Sequence, residues 1–318
     1  MSRTPAAPLR SRTRLAAVGG VVLLSALSLA SCGDDDGGTD AGGLDTIEVS
    51  GEVGKVPKVT FDGEVATKNI ETDVIFEGDG EELAAGDAAL AHIWIGNGFT
   101  QEEVYNSYES KAPQLLGDDI LEPFKKAIEG HTVGSRVAVS STAADAFGEA
   151  GNPTLGIGNM DGVVFVVDLL SKVATEPSGE ERPAAKWAPT LSETDGKITG
   201  FDFAGANKPS KNLLDTTLIK GEGAVVEKGQ TIAVNYLGQV FEAKKPFDES
   251  YSKAPASFPI GTGSVVAGWD KSLVGKTVGS RVVLSIPPAD GYGEAGNESA
   301  GIKGTDTLFF VIDILGAA

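Results

Sequence analysis

Thirty-nine residues of this chain are written twice. "TVGSRVAVSSTAADAFGEAGNPTLGIGNMDGVVFVVDLL" (132–170) lies without a gap over "TVGSRVVLSIPPADGYGEAGNESAGIKGTDTLFFVIDIL" (277–315), with 21 identities. Chance does not produce that agreement, and a copy 145 residues away is a duplicated domain, not a short-period solenoid. Upstream the correspondence thins. "ALAHIWIG" answers "TIAVNYLG", "VYNSYESKAP" answers "PFDESYSKAP", and "EVSGEVGKVPKVTF" resembles "KITGFDFAGANKPS" only in outline. A length of 318 residues holds two ordinary domains, each with its own core. We place them at 45–174 and 195–318. The segment between them, 175–194, is rich in proline and charge, as linkers are. Trp187 inside it is expected to cover a domain edge.

The chain carries 42 glycines and few helix-favouring runs, so strands joined by turns dominate. "TIAVNYLGQV" sets Ile232, Val234 and Tyr236 against Ala233 and Asn235, the period of a strand with one face in a core. "RVVLSI" and "TLFFVIDIL" are β-branched and apolar, the second dense enough for a central strand. Only "GWDKSLVG" reads as a helix in the second half, and it is about two turns long. The expected fold class is α+β: in each domain, an antiparallel β half-barrel wrapped around a short helix.

The first 31 residues are of another kind. Arg3, Arg10, Arg12 and Arg14 precede the apolar run "LAAVGGVVLLSALSLAS", the layout of an export signal whose core is short for a membrane span. It closes on "LASC", which resembles the bacterial lipobox, so Cys32 is the expected site of lipid attachment. Residues 1–31 then form a lipoprotein signal peptide. Localisation is expected at the extracytoplasmic face of the bacterial membrane. Two or more acyl chains anchor stably where one does so only marginally. Cys32 is the single cysteine, so the exported chain forms no internal disulfide. Residues 32–44 read as an acidic Gly/Asp tether, flexible and self-repelling. Removing the signal takes the net charge from −19 to −23, a surface that repels nucleic acid.

In the second half, "VNYLGQVFEAKKPFDES", "FPIGTGSVVAGWDKSLVGKTVGSRVVLSIPPADGYGEAGN" and "GIKGTDTLFFVIDIL" follow one another over about 230–316. In order and spacing they resemble the FKBP family of peptidyl-prolyl isomerases. Each signal alone has a bland reading, since a Trp on a short helix is ordinarily core and Tyr-Gly an ordinary turn. The joint order is what carries the resemblance. It implies that a substrate proline sits on the indole of Trp269. Tyr236, Phe247, Phe258, Val265, Val266, Ile302 and Phe310 are the implied walls, with Asp248 and Tyr292 at the rim and the N–H of Val266 meeting a substrate carbonyl. It also implies proline-containing, unfolded or exported polypeptides as partners, and macrolides such as tacrolimus as ligands of the second domain.

The residue set suits that chemistry. Amide resonance sets a rotational barrier of about 18–20 kcal/mol. The planar amide is more charge-separated than the twisted transition state, so a water-poor aromatic pocket disfavours the ground state more. No cofactor, metal or nucleophile is called for. His92 and His131, both in the first domain, are the only histidines, which argues against most hydrolase schemes. Lowering the barrier by about 4–6 kcal/mol speeds the step about 10³–10⁴-fold.

Laid over the first domain by sequence, Tyr236 falls opposite Trp94, Phe247 opposite Tyr105, and Asp248 opposite Asn106. Gly268 falls opposite Pro123, Trp269 opposite Phe124, and Tyr292 opposite Phe147; Ile302 and Phe310 keep Ile157 and Phe165, and Phe258 has no secure counterpart. The first domain is therefore expected to keep the fold with a weak or inactive pocket. Two functions remain: a prolyl isomerase assisting the folding of exported proteins, or a non-catalytic client- or partner-binding chaperone module at the cell envelope.

Overall fold

The computed structural model describes residues 42–117 and 119–318. The signal peptide, Cys32 and most of the tether lie outside them. Among the described residues no helix is long and apolar enough to cross a membrane.

Two antiparallel sheets form two bodies of the same design. In the first, the strand order is Glu71–Phe76, Arg136–Thr142, Gly162–Val173, Ala88–Asn97, Glu102–Asn106, and Gln114–Leu116 pairs with the other half of Ala88–Asn97. In the second it is Gly179–Glu181, Leu214–Gly221, Arg281–Ile286, Leu308–Ala317, Thr231–Val240, Asp248–Glu249, with Ala256–Pro259 again on Thr231–Val240. Two long central strands in each body are nearly continuous in buried residues because both sheet faces are covered. One face packs on a seven-residue helix, Glu122–Ile128 or Ala267–Leu273. The other lies under a two-stranded hairpin, Ile47–Ser50 with Lys58–Phe61 in the first body and Thr190–Thr194 with Lys197–Asp202 in the second.

These hairpins revise the reading of the upstream sequence. The partner of "EVSGEVGKVPKVTF" is "TLSETDGKITGFDF", which begins at Thr190, inside the segment read as a linker. Residues Gly179–Glu181 of that segment also add an edge strand to the second sheet, pairing with Ile219–Gly221. Trp187 packs, half-buried, with Leu191 over Leu237, Val283 and Phe309. Proline and charge mark solvent exposure, which an edge strand and a linker share.

A buried ion pair fastens each hairpin side of the sheet. Arg136 grips Asp168 on the neighbouring strand through two parallel bonds, Nε to Oδ1 at 2.6 Å and Nη2 to Oδ2 at 2.7 Å, with both side chains fully buried. Its remaining N–H groups donate to the carbonyls of Ser50, Gly51, Glu52 and Lys55, so the hairpin loop closes around the guanidinium. Arg281 and Asp313 repeat the pair at 2.7 and 2.8 Å, with the arginine 19% exposed. Such fork-to-fork geometry is directional as well as strong.

The two bodies meet through equivalent parts. Leu90 and Val173 of the first pack with Ala233 and Leu315 of the second, with Leu115 and Ala318 at the edge of the cluster. Ala174 N–H donates to the carbonyl of Leu315 at 2.9 Å. The strand Gln114–Leu116 lies alongside Ala256–Pro259.

Removing one partner of a fully buried pair leaves a charge stranded in the interior. Arg136→Met is expected to cost the first body about 3–5 kcal/mol. Arg281→Met, where solvent reaches the pair, is expected to cost less. Denaturant unfolding resolved by hydrogen exchange in Arg136–Thr142 and Arg281–Ile286 checks both.

Candidate active site

The inner face of the second sheet and its short helix build an aromatic box. Trp269 comes from the first turn of Ala267–Leu273 and is 3% exposed. Gly268 beside it lets the helix settle on Ile286, whose side chain lies 2.6–2.8 Å from where a Cβ would be. Three rings stand almost perpendicular to the indole: Tyr236 at 5.5 Å and 82°, Phe258 at 5.3 Å and 79°, Phe310 at 5.3 Å and 85°. Phe247 meets Phe310 edge-on in turn, at 5.6 Å and 85°. Edge-to-face contacts suit the ring quadrupoles. Here they hold the walls upright around a flat floor. Gly238 makes room for two of them, since a Cβ there would lie 2.5 Å from Phe247 and 2.6 Å from Phe310.

The resulting concavity has a volume of about 440 Å³. Tyr236, Phe247, Asp248, Phe258, Val265, Val266, Trp269, Tyr292 and Phe310 all line it. Ile302 does not; it is 4% exposed and belongs to the core behind, where it bridges to Asn297. Ser264 and Gly291 also line the space and carried no distinguishing sequence signal. A further residue matters without touching the cavity. Asp270 accepts from the N–H groups of Gly261 at 2.6 Å and Gly263 at 2.8 Å, both glycines at positive φ. This ties the loop after Phe258 to the helix that carries Trp269. The spacing of Asp270 from those glycines was the signal that could have revealed it.

Polar groups gather at the rim. Tyr236 Oη donates to Asp248 Oδ2 at 2.5 Å, and Tyr292 stands 37% exposed. Burial, and then the hydrogen bond to Asp248 with its negative charge, push the Tyr236 hydroxyl well above the ordinary tyrosine range. It stays a protonated donor at any physiological pH. The indole Nε1 of Trp269 is buried with no acceptor among the described residues. The set offers an apolar floor and walls, one carboxylate and the hydroxyls of Tyr236, Ser264 and Tyr292, a constellation suited to gripping a neutral, apolar ring and without an activated nucleophile.

In the first body the same box is rebuilt from other residues, and the strand register corrects the sequence alignment. Ser107 Oγ accepts from the N–H of Ile93 at 2.9 Å as Ser250 Oγ accepts from that of Tyr236 at 3.0 Å. Ile93 pairs with Val167 as Tyr236 pairs with Ile312. Ile93, not Trp94, therefore occupies the place of Tyr236. Trp94 points to the opposite face, packing with Val164 and Val166 and donating to Glu103. By the same register Tyr105, not Asn106, stands where Asp248 does, and Val104, not Tyr105, answers Phe247. Leu116 answers Phe258. A slip of one residue turns a strand's side chains over. Phe124 keeps the place of Trp269, edge-on to Phe165 at 5.2 Å and 76°. Ile95 fills the position of Gly238, and the concavity that results, of about 570 Å³, has neither the Asp248 carboxylate nor the indole.

Because Asp248 contributes to the raised Tyr236 ionisation and burial contributes separately, Asp248→Asn is expected to lower it part of the way toward the ordinary value. Titration of ring-labelled tyrosine by NMR checks this; an unmoved Tyr236 resonance would refute the coupling.

The comparisons with known proteins agree with this geometry. The family model for FKBP-type peptidyl-prolyl cis-trans isomerase matches residues 223–315. The FK506-binding protein of Streptomyces anulatus is 36% identical over 115 residues, 36% of this chain and 92% of that protein. The probable FK506-binding protein of Corynebacterium glutamicum is 36% identical over 108 residues, 34% of this chain and 88% of that protein. FK506-binding protein 4 of Aspergillus oryzae is 31% identical over 139 residues, 44% of this chain but only 26% of that protein. Through its second body, this chain belongs to the FKBP-type peptidyl-prolyl cis-trans isomerases.

Proposed function

We propose that the second body isomerises Xaa-Pro bonds of exported, incompletely folded polypeptides, from a lipid anchor on Cys32 at the extracytoplasmic face of the membrane. The observation that carries the catalytic part is the perpendicular aromatic box around Trp269. In this reading the pyrrolidine ring rests on the indole between Tyr236, Phe258 and Phe310. Phe247 backs the wall, Val265 and Val266 close the helix side, and Ile302 supports the floor from behind. Asp248, held by Tyr236, and Tyr292 orient the peptide at the mouth. The apolar box favours the less polar, twisted amide over the planar one. Water exclusion strengthens the same preference.

The anchor has a kinetic use. Uncatalysed prolyl isomerisation takes tens to hundreds of seconds and limits folding. A tethered enzyme is concentrated where exported chains emerge. The signal-like residues 1–31 and the "LASC" sequence support this placement. Macrolides of the FK506 type are proposed ligands of the same box, since it offers a large dry apolar surface with a few polar groups at its edge. The first body is assigned no turnover, because Ile93, Tyr105 and Phe124 replace the tyrosine, carboxylate and indole.

Turnover of short Xaa-Pro peptides by the full chain tests the assignment. Trp269→Leu is expected to reduce kcat/KM at least 10-fold, and Asp248→Asn by about 3–10-fold, the range of one to two lost polar contacts. Full activity in both variants, with an unchanged fold, would exclude the box as the site. Separately, Cys32→Ala is expected to abolish palmitate incorporation and to move the protein from the membrane to the soluble fraction.

A further inference from the structure

The concavity of the first body has kept its size while losing the polar groups of its counterpart. Ile93, Leu116, Ile120, Leu121, Phe124 and Leu155 line it. Its surroundings differ from the second body in the same direction. Phe99 is 60% exposed and Met160 is 89% exposed. Asn97 holds their two loops together: its Nδ2 donates to the Gly156 carbonyl at 3.2 Å and to Asp161 Oδ2 at 2.8 Å, and its Oδ1 accepts from the N–H of Phe99 at 2.8 Å. Leu155 lies next to Gly156 in the tied segment, so the exposed ring and thioether sit on loops joined to the one that lines that side of the concavity. At the corresponding positions the second body has Glu242 and Thr305. At these two positions apolar side chains are open to water in the first body, where the second body carries polar ones.

A strand that lines the groove also neighbours a strand of the catalytic wall. Leu116 lines the groove, and Leu115 on the same strand both lines it and joins the cluster between the bodies. That strand lies alongside Ala256–Pro259, which carries Phe258, a wall of the isomerase box. One extended chain, advancing about 3.3 Å per residue, crosses from one side of this seam to the other within a few residues. The occupant that fits is an apolar side chain of an extended polypeptide: Ile93, Leu116, Leu121 and Phe124 can take the side chain, while Tyr105, Gln114, Asp119, Asn152 and Thr154, which also line the space, can meet its main-chain groups.

We propose that the first body's concavity is a non-catalytic subsite that holds apolar side chains of the same unfolded polypeptide whose prolyl bond is turned over in the second body. This rests on the isomerase reading of the second body. Holding the substrate at one site raises its effective concentration at the other, so unfolded proteins are better substrates than short peptides that reach only one.

The test uses the full chain and two variants, Leu155→Arg, which obstructs the groove, and the exposed pair Phe99→Ser/Met160→Ser, which leaves the core untouched. A fluorescein-labelled, proline-free peptide rich in Leu and Phe is expected to bind the unaltered chain. Both variants are expected to weaken that binding about 10-fold and, through the lost avidity of the two-site substrate, to raise KM for proline-limited protein refolding by a similar factor. Turnover of Xaa-Pro tetrapeptides is expected to be unchanged. Proline-free peptide binding that is absent, or equal in all three proteins, overturns the proposal. So does a loss of tetrapeptide turnover matching the loss on refolding. If the unaltered chain turned over no peptide at all, the isomerase reading would fail, while the binding arm would still decide whether the groove holds apolar segments.

Discussion

Both faces of each sheet are covered, and everything else follows from that. A side chain on a central strand goes either to the helix side, where the box is, or to the hairpin side, where only packing is available. Tyr236 and Phe310 take the first route; Leu237, Phe309 and Val311 take the second. Because side chains alternate between the two faces along the stretch that carries Tyr236 and Phe310, the box and the outer core are specified together. The arginine–aspartate pairs hold this arrangement from the hairpin side: each joins adjacent strands through two parallel bonds, and in the first body the hairpin loop closes over the guanidinium.

On the helix side, the absence of side chains is as constructive as their presence. Gly238 and Gly268 leave the volume into which Phe247, Phe310 and Ile286 fit. With those spaces filled, the rings stand upright and the indole forms a floor whose walls meet it edge-on. Asp270 then fixes the loop that would otherwise leave Phe258 free to swing away. The result is a rigid cavity of low polarity, the property that distinguishes a twisted amide from a planar one.

The first body separates fold from site. It retains the paired arginine and aspartate, the helix, the hairpin and the aromatic contact between Phe124 and Phe165. It lacks the carboxylate and the indole, and Ile95 takes the space that a glycine leaves for rings. Packing tolerates exchanges among apolar residues of similar bulk far better than a binding site tolerates the loss of a charged group. A duplicated domain can thus keep its core while its cavity turns to a different use.

The sequence by itself determined the duplication and the α+β class and picked out most of the residues that line the second body's concavity, because a repeated ungapped phrase and a fixed order of aromatic and acidic residues are local signals. What it could not decide was anything resting on register between strands. Trp94 looked like the counterpart of Tyr236 from letters alone, yet the serine bond and the cross-strand partner give that place to Ile93. Proline and charge made 175–194 look like a linker, although it supplies an edge strand and half a hairpin. Ile302 falls behind the wall instead of within it. The contact between the bodies and the seam beside Phe258 were equally invisible. Each of these depends on which residues face one another across space, and hydrogen-bond pairing between distant strands fixes that only once the chain has closed into its sheets.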